Sequence, residues 1–107
     1  MGVRMTASVL KVVAALLAEP AAERYGLQLM QATGLPSGTL YPILVRLERA
    51  GWVASAWEEI DPVAEGRPAR RYYRLTAEGE TEARREVAAM QQQMARATGL
   101  PKPGLTT

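Results

Sequence analysis

The stretch GLPSGTLYPILVRLERAGWV, residues 34–53, decides the fold of this chain. Within it, Leu40, Ile43, Leu44 and Leu47 recur at i, i+3, i+4 and i+7, the spacing that places apolar side chains on one face of an α-helix. Gly51 is typical of the residue that ends such a helix. The stretch therefore predicts a helix that is held from one side and exposes the other.

The outer face of this helix carries aromatic and basic side chains. Pro42 lies among them, and it is tolerated only near a helix start because proline has no backbone N–H. Ser37 and Thr39 are both suitable N-caps, but a start near Ser37 makes Pro42 costly, so the cap stays open. The predicted outer residues are Tyr41, Pro42, Val45, Arg46 and Arg49.

Two helices are predicted before this stretch. The first begins at Thr6 or Ser8 as N-cap and ends at Pro20, and the second covers about residues 23–32 and stops at Gly34. A helix, a short turn and another helix form a helix-turn-helix. The first helix has an apolar stripe made of Val9, Leu10, Val13, Leu16 and Leu17.

Two strands are predicted after it, over residues 52–60 and 69–75, because both segments are rich in aromatic and branched side chains. Between them, residues 61–68 contain Pro and Gly and are too long for a tight hairpin, which predicts a projecting loop, here called the wing. The fold class is therefore mainly α with a small β-wing, in the order α-α-α-β-β-α. Arg67 at the wing tip and Arg70 at its base could meet a phosphate backbone or the minor groove.

A long last helix is predicted from the N-cap Thr76 to Ala97, within which apolar residues recur at spacings of four, three, four and three. Such a seam predicts dimerisation, with helix one of a partner packing against it. A helix folded back onto its own domain is the alternative. The division is then a DNA-binding domain over residues 1–75, a dimerisation helix over 76–97 and a disordered tail over 98–107. The seam consists of Ala83, Val87, Met90, Met94 and Ala97.

Composition removes several classes of function. A chain of 107 residues has room for one modest core, and it contains no Cys and no His. Disulfides, Cys-based metal sites and the usual neutral-pH base are therefore excluded, so no enzyme, metal or cofactor is expected. No apolar run approaches the roughly 20 residues of a membrane span, and no signal layout is visible, which predicts a cytoplasmic protein without membrane contact.

Charge is distributed unevenly. The net charge is only +2, from 13 basic and 11 acidic residues. Arg67, Arg70, Arg71 and Arg74 fall within eight positions that contain no acid, and Arg suits phosphate and guanine contacts. The alternative is a solvated strand whose arginines pair with the acidic residues before it. Those acidic residues, Glu58, Glu59, Asp61 and Glu65, also leave open a protein-interaction adaptor.

These motifs resemble the PadR family of bacterial winged-helix transcriptional regulators over residues 6–97. The resemblance rests on GTLYP at 38–42, Gly51, GRP at 66–68 and RYYRLT at 71–76. It implies a homodimer that binds double-stranded DNA at a pseudo-palindromic operator and represses transcription, often until a small aromatic effector binds. Some members hold aromatic compounds between two Trp residues on the last helix, whereas this chain has no Trp after Thr76.

The resemblance also implies which residues meet DNA. Ser37 and Tyr41 are placed on phosphates, and Thr39, Pro42 and Arg46 nearer the bases. Arg67 and Arg70 are the corresponding wing residues. For Tyr41 the alternative is a ring packed under the wing with an exposed hydroxyl.

An effector site is a further hypothesis. Methionine repacks around varied shapes, so the methionines of the last helix could line an adaptable apolar cleft against helix one at the dimer interface. Ordinary dimer core is the alternative. The residues of this predicted cleft are Val13, Leu17, Met90 and Met94.

Overall fold

The structure, a computed structural model, describes residues 3–99. Its helices are α1 (Ala7–Ala18), α2 (Gly26–Thr33), α3 (Ser37–Arg49), α4 (Pro62–Glu65) and α5 (Ala77–Thr98). Its strands are β1 (Arg24–Tyr25), β2 (Val53–Trp57) and β3 (Arg71–Leu75), which form an antiparallel sheet in the order β1-β3-β2. The predicted class, mainly helical with a small sheet and a long last helix, is confirmed.

The core forms where the apolar stripes of α1 and α3 meet the sheet. Every residue of the predicted α3 stripe is buried, with at most 3% of its surface exposed. Trp52 and Tyr73 close the core from the sheet side. Burial of this one face holds α3 in place, and the partners it packs against include Val9, Val12, Val13, Leu16 and Leu29.

The first helix begins as one of the two predicted alternatives. Thr6 is its N-cap, and the Val9 backbone N–H donates to Thr6 Oγ1 at 3.2 Å. The second helix begins at Gly26, later than predicted, because Arg24 and Tyr25 are extended and pair with Tyr73 and Tyr72 of β3. A strand of two residues has no periodic pattern, so no hydrophobic periodicity predicts it.

The predicted cap of α3 is wrong. Pro36 is the N-cap, and its carbonyl oxygen accepts hydrogen bonds from the backbone N–H groups of Thr39 at 3.0 Å and Leu40 at 2.9 Å. The fixed φ of proline suits this extended position, and Gly34 with φ 74° ends α2 just before it. Pro42 therefore lies inside α3, where it cannot donate to the Gly38 carbonyl. Gly38 is exposed, so water can satisfy that oxygen.

The last helix is anchored to the core at its first turns. Thr76 Oγ1 accepts from the Gly79 N–H at 2.8 Å and donates to the Gly51 carbonyl at 2.7 Å, so the predicted N-cap is confirmed. Gly79 lies directly on the backbone of Trp52. The helix ends at Thr98, one residue later than predicted, with Gly99 in the left-handed conformation. The rest of the predicted tail lies outside the described residues.

Candidate nucleic-acid interface

The outer face of α3 is exposed along its whole length, as predicted. Gly38, Pro42, Val45 and Arg49 follow one another at spacings of four, three and four, and all four are exposed. They form the centre of the face that points away from the buried leucines. Beside this row, Ser37, Tyr41 and Arg46 are exposed and Thr39 is half-buried.

Two positive charges on this face are unpaired. Within residues 3–99, neither Arg46 nor Arg49 makes an ion pair or a side-chain hydrogen bond. Glu48 does not neutralise Arg49, since its carboxylate accepts a hydrogen bond from Ser55 at 2.7 Å and lies 4.0 Å from Arg71. Arg49 lies outside the predicted DNA-binding set, although it is exposed on the predicted outer face of α3. Its spacing from Pro42 and Val45 was the signal for its place at the centre of the face.

Tyr41 has a mixed role. Its side chain is 40% exposed in the chain, while its hydroxyl lies against the Cα of Gly26 at the start of α2. Its ring centroid is 6.5 Å from that of Tyr73. Part of the Tyr41 ring is therefore packed, as the alternative predicted, but it packs against β3 and not under the wing. The rest of the residue is exposed on the outer face of α3.

The base of the wing is held by one carboxylate. Glu58 accepts two hydrogen bonds from the Arg67 guanidinium, at 2.6 and 2.9 Å, and a third from the Tyr25 hydroxyl at 2.9 Å. The Tyr25 and Tyr72 rings are stacked with centroids 4.6 Å apart, and their hydroxyl oxygens are 2.8 Å apart. Pairing of an arginine with Glu58 was the alternative to a DNA contact, and Arg67 makes this pair, although the Glu58 side chain is only 9% exposed rather than solvated.

This arrangement corrects the predicted position of Arg67. Its guanidinium folds back onto Glu58 instead of projecting from the wing tip, because a bidentate pair with a nearly buried carboxylate satisfies both groups. The tip is formed by α4, with Asp61 as N-cap and Val63 90% exposed. Arg70 remains exposed, and its guanidinium carbon lies 4.9 Å from the centre of the Tyr25 ring. Of the two wing arginines, Arg70 is the one free to meet a phosphate.

The same contacts change the acidity of two side chains. The hydrogen bond from Arg67, helped by those from Tyr25 and the Arg70 backbone, lowers the pKa of Glu58 from 4.5 to about 2. The hydrogen bond with Tyr25 and burial raise the pKa of Tyr72 to about 12. At neutral pH the Glu58 carboxyl is therefore charged and the Tyr72 hydroxyl is neutral.

We expect the wing cluster to make folding sensitive to acid. Because the pKa of Glu58 is lower in the folded chain, its contribution is complete above pH 4.5 and is lost as the pH falls toward about 2. The melting temperature of the wild type should therefore fall more steeply between these two pH values than that of Glu58→Gln, measured by circular dichroism. Glu59→Gln, an exposed neighbour, is the control and should behave as wild type. Equal pH profiles for Glu58→Gln and the wild type would contradict this assignment.

The predicted seam of α5 divides into two parts. Ala83 is fully buried in the chain's own core and Val87 packs against it, because the first turns of α5 fold back onto the domain. Ala83 is thereby removed from the seam. Met90 is half-buried, whereas Met94 is 64% exposed and Ala97 is exposed. Only the second part of the stripe is free to contact another protomer.

The effector cleft at the dimer interface stays a prediction, but Val13 is not available to line it. Val13 is fully buried, and Leu17 packs against the core. The physical reason is that α1 uses this stripe to hold α3 and the sheet, so it has no apolar surface left over at Val13 for a ligand.

The family of the chain follows from its sequence and its fold together. Residues 13–85 match the family described as the transcriptional regulator PadR-like family. This match spans more than half of the chain, from the middle of α1 through the α3 face and the wing to the first turns of α5. The chain belongs to the PadR-like family.

Solved structures share this fold, and one of them is a PadR family regulator. A PadR family transcriptional regulator from Eggerthella lenta DSM 2243 shares 30% identity over 82% of this chain and 77% of its own, with a TM-score of 0.63. Smu.1704 from Streptococcus mutans UA159 shares 27% identity over 91% and 92%, with a TM-score of 0.68. The PcaV transcriptional regulator from Streptomyces coelicolor, solved with its natural ligand, shares 26% over 87% and 62%, with a TM-score of 0.63. Among curated proteins, no sequence matches the chain significantly.

As a PadR-like regulator, the chain is a DNA-binding regulator of transcription. In the part that the structure describes, no group of three or more acidic residues is arranged to hold a metal ion. No helix between residues 3 and 99 is long and apolar enough to cross a membrane.

Proposed function

We propose that this PadR-like regulator is a homodimeric repressor that reads a pseudo-palindromic operator with the outer face of α3. One observation carries the proposal: α3 is buried on its leucine face and presents two unpaired arginines, Arg46 and Arg49, on the other. A helix held in this way can enter the major groove, where Arg donates two hydrogen bonds to guanine O6 and N7.

The proposal assigns the remaining DNA contacts to residues beside the arginine row and to the wing. Ser37 and Tyr41 lie beside the arginine row, and their hydroxyl groups suit phosphate oxygens, whereas Thr39 and Pro42 are assigned nearer the bases. Arg70 takes the phosphate contact of the wing. Arg67 serves the wing indirectly, because it orients Glu58 and thereby the base of both strands.

The dimer is proposed from the second part of the α5 stripe. Met90, Met94 and Ala97 lie on the part of α5 beyond the core, and a chain of this size gains from sharing apolar surface with a second copy. Residues 1–75 are then the DNA-binding domain, and residues 76–97 join the protomers while their first turns complete the core. Relief by a small effector is part of the proposal, supported by the related PcaV regulator that was solved with its natural ligand.

Selection of bound duplexes from a random pool tests this function. The expected result is a two-fold related consensus whose half-sites are centred about 34 Å apart, one turn of duplex. Sedimentation of the protein with the selected duplex should give two protomers per duplex. A pool without enrichment, or a consensus without two-fold symmetry, would contradict the proposal.

A second candidate is a protein-interaction adaptor, favoured by the wing tip. Glu59, Asp61 and Glu65 are exposed there, and Arg67 is taken by Glu58. An acidic tip repels phosphate, so an adaptor would bind DNA only weakly and would lose it near physiological salt. A specific regulator keeps its selected site under the same conditions.

A further inference from the structure

A cleft on the side of α3 contains residues that the proposed DNA contacts do not include. The segment before α1 lies across the last turns of α3 and leaves a cavity of about 250 Å³ between them. Its floor is apolar and belongs to the core, with Val9, Ile43 and Leu47 each at most 3% exposed. Val3 and Ala50, both half-buried, form its walls.

The rim of this cleft is positively charged. Arg4, Arg46 and Arg49 line it, all three are exposed, and no acidic side chain of the described residues lines it. Nor does any of the three arginines make an ion pair within residues 3–99. An apolar floor beside three unneutralised guanidinium groups complements one kind of molecule, which has an anionic head and an apolar body.

We infer that this cleft binds a small organic anion with an apolar body, and that binding there competes with DNA. The volume is just below the roughly 300 to 1,000 Å³ typical of drug-sized ligands, so the molecule is small. The competition follows from shared residues. Arg46 and Arg49 line the cleft and also stand on the DNA-facing side of α3, so an anion that pairs with them withdraws two cations from the duplex.

The site itself can be tested on the free protein with octanoate as probe. We expect saturable binding by calorimetry, with amide shifts at Val9, Leu47 and Ala50 in the NMR spectrum. Octanamide, which has the same body without the charge, should bind about tenfold more weakly, as should inorganic phosphate, which has no apolar body. Equal affinity for octanamide or for phosphate would overturn the proposed chemistry, and no saturable shift at these amides would overturn the site.

Two variants distinguish binding in this cleft from nonspecific binding. Arg4→Gln removes a rim charge outside the proposed DNA contacts and should weaken octanoate binding about five- to tenfold. Val3→Trp fills the cleft from its edge and should weaken it by more than about tenfold. Lys11→Gln removes an exposed charge from α1 that does not line the cleft, and it should stay within about twofold of wild type. If Lys11→Gln lost as much octanoate affinity as Arg4→Gln, the assignment to this cleft would be overturned. A change of oligomeric mass in Val3→Trp would also overturn it, because a second copy of the chain would then occupy the cleft.

The competition rests on the proposed function and is measured separately. With the selected duplex, octanoate should raise the Kd of wild-type protein for DNA and should leave that of Val3→Trp unchanged. Binding of octanoate without any change in DNA affinity would overturn the competition and leave the site standing. Absence of specific DNA binding would defeat the proposed function, while the measurements on the free protein would still decide the anion site.

Discussion

Replacing Arg46 and Arg49 together by Ala will lower affinity for the selected duplex by about two orders of magnitude. Each arginine that contacts a base edge contributes about 1 to 3 kcal/mol of discrimination, and neither has another partner within the described chain that its loss would disturb. The fold should be unaffected because both side chains are exposed. Fluorescence anisotropy with selected and scrambled duplexes measures the effect, and the gap between the two duplexes should shrink.

The control for this experiment removes the same number of charges elsewhere. Arg84 and Arg85 are exposed on α5, where they pair with Glu80 and Glu82. The double variant Arg84→Ala, Arg85→Ala should keep the preference for the selected duplex. If both double variants lost affinity to the same extent for all duplexes, α3 would not be the reading helix and attraction by net charge would explain binding.

Gly79→Ala is expected to be the most destabilising single methyl addition to the chain. A Cβ at this position would meet the carbonyl oxygen, the Cα and the carbonyl carbon of Trp52 at less than any allowed separation. Backbone cannot rotate away as a side-chain tip can, so α5 must shift from the core. The free energy of unfolding should fall by about 3 kcal/mol, the upper range for overpacking.

Gly38→Ala is the matched comparison. Gly38 also lies in the first turns of a helix, but nothing is within 4 Å of a Cβ built there. The substitution should raise the free energy of unfolding by about 0.4 to 1 kcal/mol, because Ala has less freedom to lose on folding. Urea unfolding at one fixed protomer concentration measures both variants. A Gly79→Ala protein as stable as Gly38→Ala would show that α5 does not rest on Trp52.

The match between prediction and structure was best where one segment carried all the information. The α3 stripe is a local pattern that allows only one face of the helix to be buried, and it correctly predicted which residues are exposed on the opposite face. The Thr76 cap is local in the same sense, since a hydroxyl needs only the N–H three residues later. The error in residues 34–53 was the N-cap of α3. Pro36 caps this helix without a side-chain hydrogen bond, so a preference for polar caps does not select it.

The candidate site was predicted less completely because a charged side chain can pair with groups that are distant in sequence. Arg67 and Glu58 are nine residues apart, but Tyr25 and Tyr72, which complete the cluster, come from two other strands. No spacing rule links such residues. The unpaired state of Arg49 depends on the fold in the same way, because Glu48, its neighbour in sequence, accepts a hydrogen bond from Ser55 on β2 instead.

For this chain, the sequence by itself determined the order of the four longer helices and the position of the wing, the buried face of α3 and the family to which the chain belongs. These depend on periodicity, capping and contiguous motifs, which act over a few residues. Only the tertiary structure decided that Arg67 is held by Glu58, that Ala83 belongs to the core, and that a basic cleft lies beside α3. The reason is physical: side-chain charge and apolar area are satisfied by whichever groups the fold brings near, and distance along the chain does not limit that choice.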